Sequence, residues 1–124
     1  MQKEFLGLRT VIYFVPDIEK AKQWYTEAFS TAPYFDTPFY VGYNVGGYEL
    51  GLHPGDKNET GKTGNTITYW GVNDVQASYE RLLLLGAGSF EPAQDVGEGI
   101  IVAAVKDPWE NIIGMISNPH FKEE

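Results

Sequence analysis

Two stretches of the chain repeat one order of hydrophobic and polar positions. "TVIYFVPDIEKAKQWYTEAF" begins at Thr10 and "ITYWGVNDVQASYERLLLLGA" begins at Ile67. A shift of 57 residues sets Val15 on Val72, Asp17 on Asp74 and Ile18 on Val75, and it also sets Tyr13 on Trp70 and Tyr25 on Leu82. Each copy opens with β-branched and aromatic residues, a strand signature. An aspartate then stands where a helix needs its N-cap, because its carboxylate can accept from an orphan amide of the first turn. Helical spacing follows. Ile18, Ala21, Tyr25 and Ala28 share one face in the first copy, and Val75, Ser78, Tyr79, Leu82 and Leu85 share one in the second. Gly86 suits the left-handed residue that closes the second helix.

Shorter apolar runs follow each helix. "PFYVGYNV" and "GYELGLHP" flank a Gly46-Gly47 turn, and "GIIVAAVKD" and "NIIGMIS" flank "DPWEN". Between the halves, "GDKNETGKTGN" at 55–65 has the composition of a surface linker. The pattern predicts an α+β protein of two tandem βαβββ modules, about 7–54 and about 66–121, within a single domain of 124 residues.

Composition narrows the chemistry. Without cysteine there is neither a disulfide nor a thiolate, and the only imidazoles are His53 and His120. A formal charge of −8 argues against nucleic acid and against an anionic membrane surface. No apolar run approaches the ~20 residues of a membrane span, and "MQKEFLGLRT" lacks an apolar signal region. A cytoplasmic location is the expectation. Phosphate loops, dinucleotide fingerprints, HExxH and GxSxG are all absent from the sequence.

The junctions "FVPDI" and "GVNDV", the strand "YELGLH" and the turn "DPWEN", in tandem order, resemble the vicinal oxygen chelate superfamily over about residues 7–121. That group holds glyoxalase I, extradiol dioxygenases, and fosfomycin- and bleomycin-resistance proteins. "TYWGVNDV" and "SNPHF" look most like its small glyoxalase/bleomycin-resistance branch. The resemblance implies sheets curled around a cavity, a homodimer, and, in the metal enzymes, His and Glu ligands from the first and last strands of each module. Those positions fall here on Thr10, Glu49, Ile67 (Thr66 or Thr68 with a slip of one) and Gly114. Only Glu49 carries a ligand, whereas catalytic metal sites generally provide about three. The implication is no bound metal or other cofactor, with empty space where a carboxylate could stand at 114.

Glu49 remains a candidate general base, should burial raise its pKa toward neutrality. His53 lies on the same strand face, but about 13 Å away in an extended strand. Rings crowd residues 34–48: Tyr34, Phe35, Phe39, Tyr40, Tyr43 and Tyr48. With Leu50 and Leu52 facing the core, alternation puts Tyr48 beside them and turns Gly47, Glu49, Gly51 and His53 to the other face. Trp70 and Trp109 add aromatic surface in the second half. In the last turn, Glu110 replaces the glycine usual in the family, and Asn111 is the residue suited to a left-handed conformation.

The combined expectation is a glyoxalase/bleomycin-resistance-like protein that binds a small organic molecule without metal. Its ligand-binding residues would be Phe39, Tyr43, Glu49, His53, Trp70, Trp109 and Gly114. The alternative is a glyoxalase-like lyase or isomerase, or a dioxygenase, with Glu49 as base or as ligand to Ni, Zn, Mn or Fe.

Overall fold

A computed structural model describes residues 4–55 and 66–120, so all of the expected linker except Gly55 lies outside the described residues. The chain divides into two units, residues 1–59 and 60–124. The first contains β1 (Thr10–Val15), α1 (Ile18–Ala28), β2 (Phe35–Thr37), β3 (Tyr40–Val45) and β4 (Tyr48–Pro54). The second contains β5 (Thr68–Gly71), α2 (Val75–Leu84), β6 (Gly88–Asp95), β7 (Ile101–Lys106) and β8 (Ile112–Ser117). Both are βαβββ. Their four-stranded sheets have the orders β1-β4-β3-β2 and β5-β8-β7-β6. The β1–β4 and β5–β8 pairs are parallel and the other pairs antiparallel. Among the described residues, no helix is long and apolar enough to cross a membrane.

Local chemistry sets these elements. Asp17 accepts from the Lys20 amide at 3.2 Å and Asp74 from the Ala77 amide at 3.0 Å, so both helices are capped as their sequences predict. Gly86 follows α2 at φ +104°, and the Ala87 amide bonds back to the Leu82 carbonyl at 3.1 Å. The β3–β4 hairpin turns on Gly46 and Gly47, both at positive φ, with the Gly47 amide donating to Asn44 Oδ1 at 2.9 Å.

In the first unit, Tyr13, Val15, Val41, Leu50 and Leu52 are buried, as are Ala21, Tyr25 and Ala28 on α1. Tyr13 stacks on Tyr25 with ring centroids 5.7 Å apart. In the second, Ala103, Val105, Ile113 and Met115 are buried, as are Val75, Tyr79 and Leu82 on α2.

Strands β2 and β6 are the two that the hydrophobic pattern does not locate. Both are sheet edges, where one side needs no partner and alternation relaxes. β6 also contains Pro92 and two register shifts. The run "PFYVGYNV" opens on a turn at Pro38-Phe39, which separates β2 from β3.

The turn before β8 is held by buried Asp107. Its Oδ1 accepts from the Trp109 and Asn111 amides, each at 2.8 Å, and its Oδ2 accepts from Asn111 Nδ2 at 2.8 Å. Here the structure corrects the sequence reading: the left-handed residue is Glu110, at φ +74°, not Asn111. Asn111 gives both its amides to Asp107, so the left-handed step falls one residue earlier.

On the face away from each helix, register lines residues into rows across the sheet. Ile12, Gly51, Gly42 and Phe35 form one row in the first unit. Tyr69, Gly114, Ala104 and Glu91 form the equivalent row in the second. The two central strands carry glycine or alanine in each. The space at Gly114 is not empty, contrary to the sequence reading. A Cβ there would lie 2.6 Å from Tyr69 Cδ1, 2.7 Å from the Thr68 carbonyl oxygen and 3.0 Å from Ile67 Cγ2.

Three stability measurements follow from this packing and the last turn. Gly114→Ala should cost about 1–3 kcal/mol through overpacking. Gly88→Ala, with nothing within 4 Å of its Cβ, should be neutral or slightly stabilising by urea denaturation. Glu110→Gly should raise stability by about 0.5–1 kcal/mol, because a left-handed residue with a Cβ is strained and its 3.7 Å pair with Lys106 is exposed. A lower denaturation midpoint for Glu110→Gly would contradict the strain.

Candidate functional site

Strand β4 carries Glu49 between Thr10 of β1 and Asn44 of β3, which are its partners across the sheet. The Glu49 amide donates to the Arg9 carbonyl at 2.9 Å, which fixes the backbone on that side. Its side chain lies on the helix-free face, beside the paired glycines Gly42 and Gly51. Those glycines admit two rings. A Cβ at Gly51 would stand 2.6 Å from Cζ of Tyr40, and one at Gly42 would meet Tyr34 Cε1 and Tyr40 Cε2 at 3.4 Å each. Glycine in a sheet interior removes packing surface, and an aromatic ring laid over it restores that surface.

Two neighbouring contacts place the rings. The Tyr40 amide donates to Thr37 Oγ1 at 3.0 Å as the chain enters β3. The Tyr34 amide donates to the Gly42 carbonyl at 3.0 Å. From there the Tyr34 hydroxyl donates to Glu49 Oε1 and the Tyr40 hydroxyl donates to Glu49 Oε2.

The electrostatics follow from this clamp. Hydrogen bonds from Tyr34 and then Tyr40 hold the Glu49 carboxyl below the usual glutamate value, outweighing a partial burial that acts the other way. Tyr34 is pushed up, first by its bond to Glu49 and then by burial. Tyr40 is pushed well above the ordinary phenol range by burial and then by its bond to Glu49. The arrangement therefore holds one fixed anion and two neutral hydroxyl donors at neutral pH. The sequence reading had burial raising Glu49 toward a general base; the donors move it in the opposite direction.

An open cleft of about 460 Å³ adjoins the carboxylate, lined by Arg9, Thr10, Tyr34, Asn44, Tyr48 and Glu49. Tyr48 is 42% exposed and borders this cleft rather than joining Leu50 and Leu52 in the core. It is the first residue of β4 after the Gly46-Gly47 turn.

The other sequence candidates are spread out. Tyr43 is fully buried on the helix-facing side, where its hydroxyl donates to the Lys22 carbonyl at 2.9 Å and meets Thr26 Oγ1 at 2.9 Å. It is a core residue and not part of the open face, because it alternates with Gly42 and Asn44. Phe39 sits in the β2–β3 turn, 77% exposed. His53 shares the Glu49 face, but Gly51 and its covering Tyr40 ring intervene; its ring meets Phe14 edge-on with centroids 5.2 Å apart. His120 bonds the Glu98 carbonyl oxygen at 2.8 Å. Trp70 lies in the row with buried Met115 and Ala103, on the side opposite Tyr69. Half-buried Trp109 belongs to the Asp107 turn. Tyr34 and Tyr40 were legible only as members of an aromatic cluster, and Gly42 beside Gly51 was the overlooked signal for where their rings lie.

The four inherited ligand positions were tested for metal by their donors. Thr10 beside Glu49 gives one neutral hydroxyl and one carboxylate already bonded to two phenols. Ile67 and Gly114 give none. Register adds a further point: Val11 pairs with Leu50 and Thr68 with Ile113, so Gly114 is the counterpart of Gly51, and Ile112 that of Glu49. Among the described residues, no three His, Cys, Asp or Glu side chains come together. This donor set does not fit a divalent transition ion.

No curated protein matches the sequence significantly. Solved structures do match the fold. A glyoxalase-related enzyme from Fulvimarina pelagi is 22% identical, with a TM-score of 0.77 over 97% of this chain and 94% of that one. Lactoylglutathione lyase from Agrobacterium tumefaciens is 17% identical, with a TM-score of 0.74 over 96% and 100%. The genomically encoded fosfomycin resistance protein FosX from Listeria monocytogenes is 17% identical, with a TM-score of 0.73 over 96% and 97%. At these identities the likeness speaks to fold alone. The family model described as glyoxalase/bleomycin resistance protein/dioxygenase superfamily matches residues 7–115, and the chain belongs to that vicinal oxygen chelate superfamily.

Proposed function

We propose that this chain binds a small organic molecule without a bound metal, and that ionised Glu49 is the polar anchor of the site. One observation carries the reading: both oxygens of the carboxylate at the retained ligand position accept from tyrosine hydroxyls. A carboxylate offers about four lone-pair sites, so acceptor capacity remains for an N–H or O–H of a ligand in the adjoining cleft. The exposed flanks of Tyr34 and Tyr48 supply apolar contact beside it.

The enzymatic alternative has less support in this geometry. A general base works best with a pKa near the operating pH, and the phenol donors shift Glu49 away from it. The reading includes a homodimer in the cytoplasm. Phe5, Leu6 and Leu8, strongly exposed ahead of β1, are apolar residues that a second copy would cover.

Equilibrium dialysis against Zn, Ni, Mn and Fe(II) should give no stoichiometric uptake at micromolar metal. Uptake that disappears in Glu49→Gln would overturn the metal-free reading. A fragment screen followed by tyrosine-ring NMR should yield ligands that bind Glu49→Gln at least about tenfold more weakly, as expected when a charge-assisted bond is lost. Ligands that bind the variant and the parent equally would remove Glu49 from the site.

A further inference from the structure

The second unit holds a carboxylate that neither the inherited ligand positions nor the Glu49 site involves. Glu91 ends the row Tyr69–Gly114–Ala104–Glu91 on β6. Its Oε1 is buried with no hydrogen-bond partner among the described residues. Buried acceptors are nearly always satisfied, so an orphaned one marks a missing donor. The Tyr69 ring lies over Gly114, and its phenol is raised by burial, by the charge of Glu91 and by a hydrogen bond to that carboxylate. Even with that phenol close by, Oε1 has no donor among the described residues.

We propose that Glu91, floored by Gly114 and Ala104, is a binding site for a planar cation with two adjacent N–H donors, an amidinium or a protonated 2-aminoheteroaromatic, and that Tyr69 occupies this site in the free protein. Glycine and alanine give this floor almost no side chain. Two parallel N–H groups match both oxygens of a carboxylate, which the tyrosine does not. The displaced ring has somewhere to go. An open cleft of about 640 Å³ lies beside it, lined by Tyr69 together with Gly71, Val72, Asn73, Ile116 and Asn118. Binding therefore carries the penalty of populating the conformer in which Tyr69 has swung out.

The probe is benzamidine, with benzamide as the uncharged control, measured by calorimetry and amide NMR on the full chain. Tyr69→Phe keeps the ring and removes the hydroxyl that competes for Glu91, so it should bind benzamidine at least about threefold tighter than the parent, because the competent conformer is more populated. Tyr69→Ala should tighten binding further, and Glu91→Gln should weaken it about tenfold or more. Benzamide should not bind. The proposal is overturned by absence of benzamidine binding in the parent and both Tyr69 variants, by equal affinity in Glu91→Gln, or by weaker binding in Tyr69→Phe. Glu49→Gln separates this site from the one proposed above. Loss of benzamidine binding there, with binding retained in Glu91→Gln, would place the cation at Glu49 and sink the Glu91 site alone.

Discussion

A tyrosine ring can lie flat on a β-sheet only where the strands beneath it carry almost no side chain. That steric constraint governs the helix-free face of both units. In the first, the Gly42–Gly51 pair clears the floor for Tyr40 and Tyr34. In the second, Gly114 clears it for Tyr69, with buried Ala104 next in the row. In the first unit both tyrosine hydroxyls end on one carboxylate, Glu49. Because a phenol is a neutral donor of high pKa, the pair stabilises the ionised form of Glu49 without cancelling its charge. The result is an anion held by two neutral donors from its own unit.

The first unit supplies its own donors to the carboxylate at position 49. Thr10, Ile67 and Gly114 bring no charge to their positions, and the single remaining carboxylate finds its donors within its own sheet. On the proposed reading, Glu49 serves as an acceptor beside an open cleft. The same scaffold serves many chemistries, so the site and not the family decides between them.

Local signals were legible in the sequence. The repeat, the caps at Asp17 and Asp74, the left-handed Gly86 and the Gly46-Gly47 hairpin each depend on residues close together in the chain. What depended on strand pairing was not legible. That Tyr34 and Tyr40 converge on Glu49 follows from the β2–β3–β4 register, which sequence spacing does not state. Gly114 was expected to leave a void, but a pairing partner filled it, because Tyr69 stands directly across the β5–β8 ladder. Tyr43 was counted with the cavity aromatics, yet alternation from Gly42 turns it to α1. Edge strands β2 and β6 escaped because edges tolerate polar residues and proline on both faces.

The most direct test is a carbon-13 NMR titration of the Glu49 side-chain carboxyl, in the parent and in a Tyr34→Phe/Tyr40→Phe double variant. A midpoint below the 4.5 of an ordinary glutamate, rising when the two hydroxyls are removed, is the predicted result. A midpoint at or above 4.5, or one that the double variant leaves unmoved, would contradict the tyrosine clamp and return Glu49 to the role of a general base or a metal ligand.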